Sequence, residues 1–124
     1  MNFMKAAKTQ KLKVDFVCVH SYGDNNATAF IERLHKIHQL YEKPIWITEF
    51  AVADWKAQNN GKNQYGPDLV LRFMETVLPQ LDKLDFVERY AWFPAGTGSA
   101  HLGPSALFDD QGKLTRLGEC YRDA

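Results

Sequence analysis

The chain has 124 residues, of which 45% are hydrophobic, 24% charged and 13% aromatic, a balance that suits a globular domain with a real core. Fifteen basic and fifteen acidic residues cancel, and the longest basic cluster, Lys5, Lys8, Lys11 and Lys13, has no interleaved aromatics, a pattern that disfavours nucleic acid as a partner. No run approaches the ~18 apolar residues of a membrane span, and Met1 to Ala7 lacks the apolar core of a secretory signal.

Residues 3–11 read as the tail of a helix. "VDFVCVHSY" (14–22) is rich in β-branched and aromatic residues and runs into the turn formers "GDNNAT", the pattern of a buried strand followed by a loop. Phe30, Leu34, Ile37 and Tyr41 then recur at helical spacing, with Asn26 or Thr28 to cap the start and Pro44 to end the segment. "IWITEFAV" (45–52) is the second strand, and a polar loop, "DWKAQNNGKNQYG" (54–66), carries Trp55.

Pro67 suits a first helical position, and Leu69, Val70, Phe73, Met74, Val77 and Leu78 form an apolar stripe. Pro79 is expected to break or kink that helix, leaving "QLDKLD" as a short continuation. "VERYAWF" (87–93) is the third strand; the glycine-rich loop 94–105, a turn at 109–112 and a short helix from Thr115 to Tyr121 follow.

Strands alternating with amphipathic helices imply an α/β fold with parallel strands, arranged as one partial domain over 1–124 with units at about 12–43, 44–84 and 85–124. An open doubly wound sheet and part of a (β/α)8 barrel both satisfy the pattern. In either, ligands meet the carboxyl ends of the strands, where His20, Tyr22, Glu49 and Trp92 fall.

Glu is a poor strand former, and burying its charge is costly. Alternation from Ile45 and Ile47 predicts that Glu49 shares their face at the mouth of the sheet, where a carboxylate serves as nucleophile, general base, metal ligand or half of an ion pair. His20 and Tyr22 share a face and can orient a carboxylate through hydrogen bonds. Trp92 reads as core, apolar wall or sugar-stacking platform. Trp55 and His101, in the loops after the second and third strands, join it as candidate substrate contacts.

His35 and His38 lie at i, i+3 but have no third ligand nearby, so no metal site is assigned. Cys18 and Cys120 have no metal-type spacing and read as unpaired thiols acting as small hydrophobes. Gly96, Gly98 and Gly103 do not make a phosphate loop, and no G-x-S-x-G elbow occurs.

Taken in order, "DFVCVHSYG", "KPIWITEFAV", "VERYAWFP" and "ALFDDQGKLTRLGECY" resemble consecutive blocks of the glycoside hydrolase catalytic core of the alkali-sensitive-linkage type, a β-1,3-glucanase-like family of (β/α)8 barrels. The resemblance covers about residues 12–121 and implies strands six to eight of the barrel. It assigns Glu49 as catalytic nucleophile, Tyr22 and His20 as the pair that orients it, and Trp92 as the floor of a sugar subsite. It implies hydrolysis of O-glycosidic bonds in β-glucan by a retaining two-glutamate mechanism, with a polysaccharide or oligosaccharide substrate and no cofactor. An extracellular or wall-associated parent protein is implied as well.

The acid/base glutamate of that family, carried in an Asn-Glu motif, has no counterpart: Asn26 is followed by Ala27. A complete barrel takes ~250 residues. The expectation is therefore a chain that carries the nucleophile alone and either self-associates or joins a missing N-terminal half-barrel. Two rivals stand beside it: a non-catalytic carbohydrate-binding domain, and a structural, self-assembling fragment.

Overall fold

The computed structural model describes residues 2–57 and 62–124; part of the expected polar loop, 58–61, lies outside the described residues. Three strands, β1 (Val17–Gly23), β2 (Ile45–Val52) and β3 (Val87–Trp92), form a parallel sheet in the order β1-β2-β3. Helices α1 (Phe3–Thr9), α2 (Ala27–Tyr41), α3 (Pro67–Leu81) and α4 (Arg116–Asp123) complete the fold, with a 3-10 turn at Gly103–Ser105. The alternation expected from the sequence is thus the architecture observed.

Local signals account for the helix ends. Asn26 caps α2 by accepting the Ala29 N–H at 3.0 Å, and Glu42 closes it in the left-handed region at φ 50°. Thr115 caps α4 by accepting the Gly118 N–H at 3.0 Å, and its own hydroxyl donates to the Ala106 carbonyl at 2.7 Å. Gly118 is required there, because a Cβ at that position would lie 2.1 Å from the Leu107 carbonyl oxygen.

Pro79 does not break α3, which runs on to Leu81. In the last turn, a proline removes only one hydrogen bond, whereas Val70, Phe73, Met74, Val77, Leu78 and Leu81 are all buried against the core. Packing outweighs the local breaker.

One sheet face is covered by helices. Ile45, Ile47 and Phe50 lie there at 0–1% exposure, in one core with Phe30 and Leu34 of α2, the buried stripe of α3, and Leu117 of α4. Phe50 stacks on Phe30 at 5.6 Å. At about 25 cal/mol per Å² of apolar surface, this layer is the main source of stability. The opposite face is open: Cys18, His20 and Arg89 are exposed along it. Trp46 sits between a stacked Phe16 ring at 3.9 Å and the Arg89 guanidinium at 5.2 Å, its N–H donating to Glu88 at 2.8 Å.

The alternation predicted for β2 is broken, which corrects the expectation for Glu49. Val19 pairs with Ile47, but His20 pairs with Glu49, so Thr48 is an extra residue at a β-bulge. The bulge inverts the parity of every later side chain. Ile45 and Ile47 therefore face the helices, while Glu49 emerges on the open face with Trp46.

Candidate active site

The bulge places the Glu49 carboxylate beside β1. Tyr22 and His20, two residues apart on that strand, project from the same face, and the phenolic hydroxyl of Tyr22 donates to Glu49 Oε2. His20 Nδ1 lies 3.4 Å from the same oxygen, a looser contact on a side chain that is 56% exposed. Oε1 of Glu49 has no hydrogen-bond partner among the described residues. Burial, reinforced by the hydrogen bond and charge of Glu49, raises the Tyr22 hydroxyl well above its ordinary value of 10.0, so it remains a donor through neutral and mildly alkaline pH.

Aromatic rings extend the trio. Trp55 meets Tyr22 edge-on at 5.9 Å and donates its indole N–H to the Tyr22 carbonyl at 3.3 Å. His101 is tilted against Trp55 at 5.5 Å. Its Nδ1 hydrogen-bonds the Asp54 carbonyl at 2.9 Å; a carbonyl only accepts, so Nδ1 carries the proton. Phe93 packs edge-on against Tyr22 at 5.4 Å.

The structure therefore brings Glu49, Tyr22, His20, Trp55 and His101 to one end of the sheet. Trp92 does not join them, which corrects its assignment as a sugar platform. It is 3% exposed, packs on Phe50 and Phe73 at 5.0 and 6.2 Å, and donates its N–H to the Ser105 carbonyl at 2.8 Å. Its ring points toward the helices, and the next residue, Phe93, supplies the aromatic on the site side.

Asp54 is a residue that sequence reasoning passed over. It is 4% exposed, and its carboxylate accepts the N–H groups of Lys56 at 3.0 Å and Gln64 at 2.9 Å and the Gln64 side-chain amide at 3.2 Å. Hydrogen bonding led by the Gln64 N–H holds its carboxyl below the usual 3.8. The signal in the sequence is an Asp two residues ahead of a loop N–H, the pattern of an Asx turn.

His35 and His38 flank Phe86, the first edge-on at 5.1 Å and the second stacked at 4.4 Å, with His38 Nδ1 bonded to the Lys43 carbonyl at 3.1 Å. Among the described residues, no group of three His, Cys, Asp or Glu side chains is arranged to hold a metal ion. A cavity of about 570 Å³ lined by Pro67, Leu71, Thr97, Pro104 and Leu117 does not include Glu49. The trio instead lies on the open sheet face, where three strands leave no opposite wall.

Residues 1–121 match the model of the glycosyl hydrolase catalytic core. Alkali-sensitive linkage protein 1 of Schizosaccharomyces pombe is 35% identical over 113 residues, 88% of this chain and 20% of that protein. Among solved structures, an endo-β-1,3-glucanase of glycoside hydrolase family 128 from Amycolatopsis mediterranei, in complex with laminaritriose and laminaribiose, superposes with a TM-score of 0.82 and 29% identity, over 98% of this chain and 50% of that one. An exo-β-1,3-glucanase of the same family from Cryptococcus neoformans gives a TM-score of 0.70 and 26% identity, over 86% and 42%. The chain thus spans half or less of the relatives it matches. The three parallel strands, the ordered sequence blocks and the matched residues agree: the chain belongs to the glycosyl hydrolase catalytic core family.

Proposed function

We propose that this chain supplies the nucleophile-bearing part of a retaining glycoside hydrolase acting on β-1,3-glucan, with Glu49 as the nucleophile. The observation that supports the reading is the asymmetry of that carboxylate. Tyr22 and His20 both approach Oε2, which anchors that oxygen and leaves Oε1 without a hydrogen-bond partner among the described residues. In the reaction, Oε1 attacks the anomeric carbon as its bond to the glycosidic oxygen breaks, and the leaving oxygen takes a proton from a second carboxyl group. Water, deprotonated by that second group, then releases the sugar from Glu49.

The second carboxyl must stand roughly 5–5.5 Å from the first. Three carboxylates of this chain are engaged elsewhere. Asp54 is occupied by N–H donors, Asp24 accepts the Asn26 N–H at 3.1 Å where α2 begins, and Glu88 bonds Trp46 at the other end of the sheet. Glu75 projects from α3 and is exposed. We therefore assign the acid/base to the remaining strands of the barrel, whose docking would also cover the open face and both sheet edges. Self-association of this chain is the alternative cover, and a barrel assembled that way would still need a donor carboxyl. The β-glucan substrate points to a protein acting outside the cell or at its wall, which cell fractionation would test.

The test is laminarin hydrolysis by the assembled barrel with Glu49→Gln. The expected result is a loss of turnover of about 10³-fold or more with laminaritriose binding retained. Full turnover in that variant would remove Glu49 from the mechanism. Binding without hydrolysis in the unsubstituted barrel would favour a non-catalytic carbohydrate-binding domain.

A further inference from the structure

We propose that Asp54 is a positioning residue: its buried carboxylate fixes Trp55 against Tyr22 as the wall of a glucan subsite beside Glu49. The proposal rests on the β-glucan reading above. Burying a carboxylate is costly unless donors replace its water, and here three donors do so without a cation among the described ion pairs. A polar loop needs no buried anion for solubility. The cost is matched to a geometric result: the carboxylate ties Lys56 and Gln64 of the loop after β2 around Trp55, while the backbone of the same residue bonds the loop after β3.

The backbone of Asp54 is doubly bonded to the loop after β3. Its N–H donates to the His101 carbonyl at 3.0 Å, and its carbonyl accepts from His101 Nδ1 at 2.9 Å. Asn63 adds two donations from Nδ2, to the Ala100 and His101 carbonyls, both at 3.0 Å. The next residue along the chain is Trp55, whose indole N–H reaches the Tyr22 carbonyl at the end of β1. The end of β1 and the segments following β2 and β3 therefore converge on the Asp54–Trp55 pair.

Trp55 nevertheless stays 58% exposed. An indole held by a hydrogen bond and two ring contacts while offering most of its surface is preorganised for a flat apolar sugar face, since its ordering cost is met before ligand arrives. Releasing Asp54 should loosen Trp55 without touching Glu49, Tyr22 or the core.

Acrylamide quenching of tryptophan fluorescence in the 124-residue chain, paired with laminaritriose titration, tests this. Asp54→Ala and Asp54→Asn are each compared with and without Trp55→Phe, which isolates the Trp55 signal; circular dichroism checks folding, and Asp54→Asn decides if the alanine variant unfolds. Asp54→Ala is expected to raise quenching of Trp55 about twofold and weaken laminaritriose about tenfold, without adding to the loss from Trp55→Phe. Asp54→Asn should fall between, because its oxygen still accepts the Lys56 N–H and the Gln64 side-chain amide, whereas its NH2 group cannot accept the Gln64 backbone N–H. Wild-type quenching in the Asp54 variants, or an affinity loss additive with that of Trp55→Phe, overturns the proposal. Absence of laminaritriose binding by the unsubstituted chain would count against the glucan reading alone, while the quenching comparison would still decide whether Asp54 holds Trp55.

Discussion

Tyr22 donates its hydroxyl to Glu49 Oε2 across the β1–β2 pair, and this bond exists because a bulge at Thr48 brings His20, rather than Ser21, level with Glu49. The phenol and the carboxylate are 27 residues apart in sequence and one strand apart in space. Removing the hydroxyl while keeping the ring should misorient the Glu49 carboxylate without emptying the site. In the assembled barrel, Tyr22→Phe is expected to lower kcat about 10–100-fold and leave KM within about twofold. His20, at 3.4 Å and more than half exposed, should matter less, with His20→Ala costing roughly threefold. A larger loss from His20→Ala than from Tyr22→Phe in laminarin kinetics would reverse that ranking of the two residues.

Trp92 should report on stability, not on sugar binding. Its ring is buried between β2, α3 and the turn at Gly103–Ser105, and its N–H satisfies the Ser105 carbonyl. Trp92→Ala is expected to cost about 3–5 kcal/mol in urea unfolding. Trp92→Phe, which keeps most of the packing, should cost less and leave laminaritriose affinity unchanged. A drop in affinity for Trp92→Phe at unchanged stability would restore the role of sugar platform.

Asp54 gives the loop a pH dependence whose sign follows from its lowered carboxyl pKa. A carboxyl held below its unfolded value contributes in full above that value, and the contribution is lost as pH falls through the folded one. Thermal melts between about pH 2 and 5 should therefore show a decline below about pH 4 that Asp54→Asn flattens. Identical profiles for the two proteins would show that Asp54 contributes nothing through its charge.

The sequence carries the order of elements plainly, because β-branched strands, amphipathic helices and capping residues are local signals. It also carries the His20–Tyr22–Glu49 set, since charged and polar residues at strand ends are out of place unless they meet. Faces are another matter. Periodicity assigns a face only while register is unbroken, and the bulge at Thr48 has no mark in a single strand: it is a property of the pairing with β1. The β2–β3 pairing shifts register twice, between Ile45 and Trp46 and between Ile47 and Phe50, and Trp92 ends beside Phe50 on the helix side. Asp54 was hidden for a similar reason, because its donors include Gln64, ten residues away, and its backbone partner is His101. Pro79 shows the converse, a strong local signal overruled by the buried stripe around it.

The most direct test of Glu49 as nucleophile is chemical rescue of Glu49→Ala in the assembled barrel with sodium azide and an activated β-laminaribioside. Azide would enter the space left by the carboxylate and displace the leaving group with a single inversion. Recovered turnover with an α-glycosyl azide as product is the result predicted for a nucleophilic Glu49. Recovery of a β-configured product, or azide-independent hydrolysis at the unsubstituted rate, would contradict that role.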